Sequence, residues 1–139
     1  MEKLVIDAGV ALKWFLNEEF SEQARSIMKQ DYEFHVPDLF FLETSAVLSK
    51  KARRRELYIN EATRIRNILA LFPFDVTPDE YLKDQAFDLS LKFKVSMYDC
   101  MYIMLAMAVE GKMITADRRF YRSMQQFGLA EWVALVQGE

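Results

Sequence analysis

The chain has 139 residues, 52% hydrophobic and 28% charged, with four Gly and three Pro. Such a chain is long enough for one core burying roughly two-thirds of the unfolded surface, and disorder and low complexity are excluded. A formal net charge of −3 and a sequence pI near 5.3 give the surface as a whole no electrostatic pull on nucleic acid, so a polyanion would need a local basic patch.

The opening stretch Leu4-Val5-Ile6-Asp7 reads as a buried strand that stops on a carboxylate. Glu2 and Asp7 stand where a signal peptide would be basic, and the longest apolar segment, Met101 to Val109, is too short for a bilayer. The expectation is a soluble intracellular protein without a membrane partner. Val10, Ala11, Trp14 and Phe15 recur at helical spacing after Asp7-Ala8-Gly9, and Ser21, Ala24, Ile27 and Met28 make a second short helix. Phe34-His35-Val36 is the next strand, with His35, the chain's one histidine, as a packed or hydrogen-bonded ring.

Pro37-Asp38 opens the third helix, with Asp38 as its N-cap. Leu39, Leu42, Glu43, Ala46 and Val47 then share one face, leaving Glu43 as the single acid on an apolar stripe. Lys50 to Arg55 holds five cations in six residues. It is either a solvated last turn favoured by the helix dipole or a phosphate-contacting patch. Asn60 to Leu71 is amphipathic and stops at Pro73, Phe74-Asp75-Val76 is a weak strand, and Thr77-Pro78-Asp79-Glu80 opens a helix to Phe93.

Ser96 and Asp99 have capping-box spacing at the start of the apolar helix Met97 to Val109, which closes at Glu110-Gly111. Within it Cys100 reads as core packing, and as the one cysteine it allows no intrachain disulfide and fits a reducing cytoplasm. Tyr98 and Tyr102 flank Asp99 and read at helical spacing as core packing, with stacking on a nucleic-acid base as the alternative. Lys112 to Thr115 is the fourth strand, Asp117 caps the helix Arg118 to Gln126, Gly128 ends it, and Trp132 to Leu135 is a last strand at a sheet edge.

Strand and helix alternate over 1–139, which predicts one α/β domain with a parallel sheet covered on both faces. Sites in such sheets lie outside the carboxyl ends of the strands. Asp7 and Asp117 follow strands, Glu43 stands about one turn into the helix after another, and Asp99 opens a helix that feeds a strand, so all four fall on one rim. Each alone is explained as a cap or a partly exposed helix residue. Four together repel, at about 3 kcal/mol for a pair roughly 5 Å apart at an effective dielectric near 20, and convergence would call for a cation. Oxygen-only ligands suit Mg²⁺ or Mn²⁺ and phosphate chemistry rather than zinc. Two other folds with acids at a sheet edge fit poorly. A receiver domain would want paired acids after the first strand and a lysine near the last one, and a haloacid-dehalogenase-like phosphatase a second Asp where Gly9 stands.

Four stretches carry a resemblance: V-I-D-A-G-V-A-L-K-W-F at Val5 to Phe15, V-P-D-L-F-F-L-E at Val36 to Glu43, V-S-M-Y-D-C-M-Y-I-M-L-A at Val95 to Ala106, and I-T-A-D-R-R-F-Y at Ile114 to Tyr121. In this order the chain resembles the PIN domain family, specifically the VapC-type toxins of toxin–antitoxin pairs, over essentially its whole length. The resemblance implies a three-layer α/β/α sandwich with a parallel sheet of about five strands and Mg²⁺- or Mn²⁺-dependent endoribonuclease activity on structured RNA. It implies Asp7, Glu43, Asp99 and Asp117 as the metal-binding and catalytic acids, with Thr115 supporting them from behind without binding the ion. A VapB-type antitoxin and a homodimer are implied partners.

One departure is Gly9, where family members often carry Ser or Thr, so a hydroxyl that could steady Asp7 is missing. The competing reading is a catalytically weakened module for protein interaction or RNA binding. Arg118 and Arg119 occupy the first turn of a helix, unfavourable for cations, and so read as RNA or partner contacts. Trp14, Phe15, Phe40 and Phe41 widen their helices' apolar faces beyond what one core needs, which marks them for a dimer or antitoxin contact.

Overall fold

The structure, a computed structural model, describes residues 1–136. The elements run β1 (Lys3–Ile6), α1 (Ala8–Lys13), α2 (Ser21–Met28), β2 (Glu33–Pro37), α3 (Leu39–Arg53), α4 (Ile59–Leu71), β3 (Asp75–Thr77), α5 (Lys83–Phe93), α6 (Met97–Val109), β4 (Lys112–Thr115), α7 (Arg118–Gln126) and β5 (Val133–Leu135). Among the described residues the strands form one five-stranded sheet in the order β3-β2-β1-β4-β5, parallel throughout. It is the middle layer of an α/β/α sandwich.

β1 is central because its side chains have no polar face to offer: Leu4, Val5 and Ile6 are all buried, the near-continuous apolar run of a strand covered on both sides. Val36 of β2 and Met113 and Ile114 of β4 extend the same core, and α6 crosses β1, β2 and β4 with its own Ile103, Leu105 and Ala106 buried. No described helix is long and apolar enough to cross a membrane.

The chain passes from β1 to β2 on one side and later returns to β4 on the other. The carboxyl ends of β1 and β4 therefore border the point where the direction of winding reverses, the usual place for a crevice in an open parallel sheet.

Several expectations are corrected. Asp38 stands at the N-cap position of α3 but makes no side-chain cap bond. Asp79 instead reaches across to accept from the Leu39 N–H at 3.0 Å. With that carboxylate turned to α3, the chain makes a 3₁₀ turn at Asp79–Tyr81, and α5 begins only at Lys83. The inward face of α3 is Phe40, Thr44 and Leu48, not Leu42, Ala46 and Val47, which are exposed.

Trp14 and Phe40 are core residues rather than contacts for a partner. Trp14 packs against Phe34, Phe72 and Phe74, and Phe40 against Phe41 and Phe74, while Phe15 and Phe41 are partly buried against the same core. The aromatic surplus is consumed by one internal cluster.

Candidate active site at the carboxyl edge of the sheet

Asp7 is the first residue past β1. Its backbone is still extended and its Oδ1 accepts from the Val10 N–H at 2.8 Å, so a strand end and a helix cap are the same residue. Asp117 repeats the device after β4, where Oδ1 accepts from the Phe120 N–H at 3.0 Å. Thr115, buried at the end of β4, links the two: its Oγ1 accepts from the Asp117 N–H at 3.1 Å, and its side chain hydrogen-bonds the Asp7 carboxylate.

Asp99 lies in the first turn of α6, its N–H bonded to Ser96 Oγ at 3.1 Å. Glu43 comes from the middle of α3, and the Tyr102 hydroxyl donates to its Oε1 at 2.6 Å. Tyr102 is the contributor that the sequence reading missed. Its spacing in α6 says core, correctly, since the ring is buried, but nothing local announces a carboxylate partner from α3.

Burial lifts the Asp7 carboxyl from 3.8 to about 7. The charges of Asp99 and Glu43 add to that rise, and the bonds from Val10 and Thr115 oppose it. Asp99 is raised from 3.8 to about 6, first by burial and then by the charges of Glu43 and Asp117. Burial and the adjacent Glu43 carboxylate drive the Tyr102 phenol upward, so it stays a neutral donor. Burial, with Asp99 beside it, also raises the Cys100 thiol to about 11, as suits a packed, unreactive cysteine.

Asp7 thus feels Asp99 and Glu43, and Asp99 feels Glu43 and Asp117, yet no three of the four bring their oxygens within 4.8 Å of one another. The described residues that do so are Glu33, His35 and Asp75, at the other end of the strands. The rim set is nevertheless the chemistry a hard divalent ion fits: oxygen donors only, two of them held above the usual carboxylate range by burial and like charge.

A cleft of about 310 Å³ opens beside Asp7, lined by Gly9, Lys13, Glu18, Thr115, Ala116 and Asp117. A Cβ on Gly9 would lie 3.7 Å from Asp7 Oδ1, ordinary contact, so packing does not impose the missing hydroxyl. The Lys13 ammonium is held by the Glu19 carbonyl at 2.8 Å and by Glu18 at 3.5 Å. Arg118 and Arg119 are exposed on the first turn of α7, next to Asp117.

Of the basic run ending α3, Lys51 pairs with Glu18 and Glu56, whereas Arg54 and Arg55 are exposed. Larger grooves lie between α3 and α4, lined by Leu48, Ala52, Ile59 and Ala62 with Arg53 and Arg66 at their edge. They gather no convergent acids.

A parallel sheet with acids at its switch point has a family counterpart: the chain belongs to the PIN domain family, whose model matches residues 4–123. Within that family it falls with the VapC proteins. It is 39% identical over 120 residues to Ribonuclease VapC3 of Pyrobaculum aerophilum, which covers 84% of this chain and 91% of that protein, and is thus a homologue of a VapC ribonuclease. Nucleases of the family use a divalent metal.

Solved structures share the fold. PAE2754 from Pyrobaculum aerophilum superposes with a TM-score of 0.68 at 20% identity, over 88% of this chain and 79% of that one. A toxin–antitoxin complex from Klebsiella pneumoniae gives 0.69 at 13% identity, over 98% and 99%. VapBC2 from Rickettsia felis, bound to a DNA fragment from its promoter, gives 0.64 at 8% identity, over 97% and 99%.

Proposed function

We propose that this chain is a metal-dependent endoribonuclease, the toxin of a type II toxin–antitoxin pair, cutting structured RNA such as tRNA or ribosomal RNA in the cytoplasm. The observation that carries the reading is the pair Asp7 and Asp99, both raised well above the ordinary carboxylate range at the carboxyl edge of the sheet, with the Asp99 charge acting on Asp7. Asp7 and Asp99 would hold the main ion, Mg²⁺ or Mn²⁺, with Glu43 and Asp117 completing the set. A bound ion of this class supplies charge stabilisation at a phosphodiester and activation of water.

The chain's own part is preorganisation. The Val10 N–H and Thr115 fix Asp7, the Phe120 N–H fixes Asp117, and Tyr102 fixes Glu43, so few carboxylate rotamers remain to be frozen when substrate arrives. Free oxygens of Glu43 and Asp117 orient the attacking water, and Arg118 and Arg119 meet the RNA backbone or the acids of a partner. A VapB-type antitoxin would inhibit by covering the rim. Exposed Tyr58 and Ile59 beside the α3–α4 groove supply an apolar surface for it or for a second copy of the chain, in place of the aromatic residues that the core has taken.

The test is cleavage of purified cellular RNAs by antitoxin-free protein with Mg²⁺ or Mn²⁺, beside EDTA and Asp99→Asn. Discrete fragments should form, vanish in EDTA, and fall by about 100-fold or more in the variant, the loss typical for a preorganised electrostatic group. Intact RNA from folded protein, with no calorimetric signal for either ion, would leave the interaction module as the better account.

A further inference from the structure

At the opposite end of the strands, sheet geometry assembles a different donor set. Glu33 and His35 are two residues apart on β2 and so share a face, and Asp75 is the register partner of His35 on β3. One donor atom from each of the three lies within 4.8 Å of the others. None of the three belongs to the acid crevice.

The telling group is the imidazole. His35 is 4% exposed, and its Nδ1 is buried with no hydrogen-bond partner. Nε2 lies 2.6 Å from Glu33 Oε1. A carboxylate can only accept, so a neutral ring carries its proton on Nε2, and Nδ1 presents a lone pair. That lone pair faces Asp75 Oδ2 at 3.8 Å. Two electron-rich atoms held at this separation, one of them buried, call for a positive centre between them.

We infer that Glu33, His35 and Asp75 form a second divalent-cation site, for a borderline ion of the Zn²⁺ class. His35 Nδ1 and the Asp75 carboxylate are its ligands, and Glu33 is the carboxylate that fixes the ring. Bonds of about 2.0–2.2 Å from one zinc to nitrogen and oxygen span a 3.8 Å gap between donors. The Glu33 bond to Nε2–H is the support that metal-bound histidines usually have. Two carboxylates balance the dication. The Glu33 and Asp75 side chains are 41% and 63% exposed, so water fills the remaining positions. Such an ion ties β3, a three-residue edge strand, to β2.

His35 is the chain's one histidine, so imidazole ¹⁵N resonances report this site alone. The full chain is titrated with Zn²⁺ alone. Nδ1 is expected to shift as a metal ligand while Nε2 keeps its proton. Asp75→Asn should raise the Zn²⁺ Kd by at least about 10-fold and Glu33→Gln by about 10–100-fold, the usual effect of removing such support, while Asp99→Asn leaves the response unchanged.

Both variants alter surface-facing side chains, and an unchanged circular dichroism spectrum verifies their folding. Ring resonances that ignore millimolar Zn²⁺, that respond equally in Asp75→Asn, or that show a proton on both nitrogens which Zn²⁺ never displaces, would each overturn the site. None of these results bears on the acid crevice, whose own test is RNA cleavage.

Discussion

The Tyr102 hydroxyl binds Glu43 across 59 positions of sequence, and it does so from a buried face of an apolar helix. A hydrogen bond to a charged group contributes about 1.5–3 kcal/mol, and its loss leaves a half-buried carboxylate short of a donor. Tyr102→Phe should therefore lower stability by about 1–3 kcal/mol in thermal unfolding. As Tyr102 only positions Glu43, the same variant should lower kcat for RNA cleavage by about 10-fold with KM little changed. A parallel rise in KM would place the phenol against the substrate instead. Asp7 and Asp117 were legible in the sequence because a carboxylate ending a strand and starting a helix is a local pattern, whereas Thr115 was named only through the family resemblance. Tyr102 was not legible, because its partner is fixed by the packing of α6 against the rest of the fold.

At the scale of elements, most boundaries followed local chemistry, the start of α5 at Lys83 excepted, and faces did not. The ends of β1, β4, α6 and α7 were readable from apolar runs meeting Asp, Ser or Gly. The inward face of α3 was misjudged because Leu42 and Val47 match the helical period as well as Phe40 and Leu48 do. The choice between them is made by the aromatic cluster of Trp14, Phe34, Phe72 and Phe74, drawn from three other parts of the chain.

The α6 to β4 corner holds a finer lesson. Glu110, not Gly111, takes the left-handed conformation, at φ 59°. Gly111 is required for a different reason, since a Cβ there would lie 2.4 Å from the Lys3 carbonyl oxygen of β1. Gly111→Ala should destabilise by about 1–3 kcal/mol through overpacking against backbone. Glu110→Gly, which relieves the left-handed strain, should stabilise by up to about 1 kcal/mol. Equal effects of the two changes in urea unfolding would refute this division of roles.

Taken as a whole, the molecule stores like charge at one edge, and its stability should record that. Asp7 and Asp99 keep their protons to about 7 and about 6 in the folded state, against the ordinary carboxylate value of 3.8 that holds for the unfolded chain. Between these values the folded state binds more protons than the unfolded one, so stability falls as pH rises. The contribution is full below about pH 4 and lost by about pH 7. Metal-free protein should melt lower at pH 7.5 than at pH 5, the difference shrinking in Asp7→Asn and on adding Mg²⁺. Asp99→Asn should raise the metal-free Tm at pH 7.5 by about 3 °C for each kcal/mol of repulsion removed. A pH slope identical in wild type and both variants would remove these two groups as its cause.

The order of the strands also fixes a schedule. β1 is made first and sits at the centre, but its Leu4 pairs with Lys112, and its second neighbour does not exist until that part of the chain is synthesised. A nascent chain that has emerged only as far as α6 carries Asp7, Glu43 and Asp99 with half of β1 unpaired, and lacks the Thr115 that fixes Asp7 and the Asp117 that follows. Such long-range parallel pairings form late. The crevice therefore cannot close until β4 and Asp117 have been made and β4 has paired with β1.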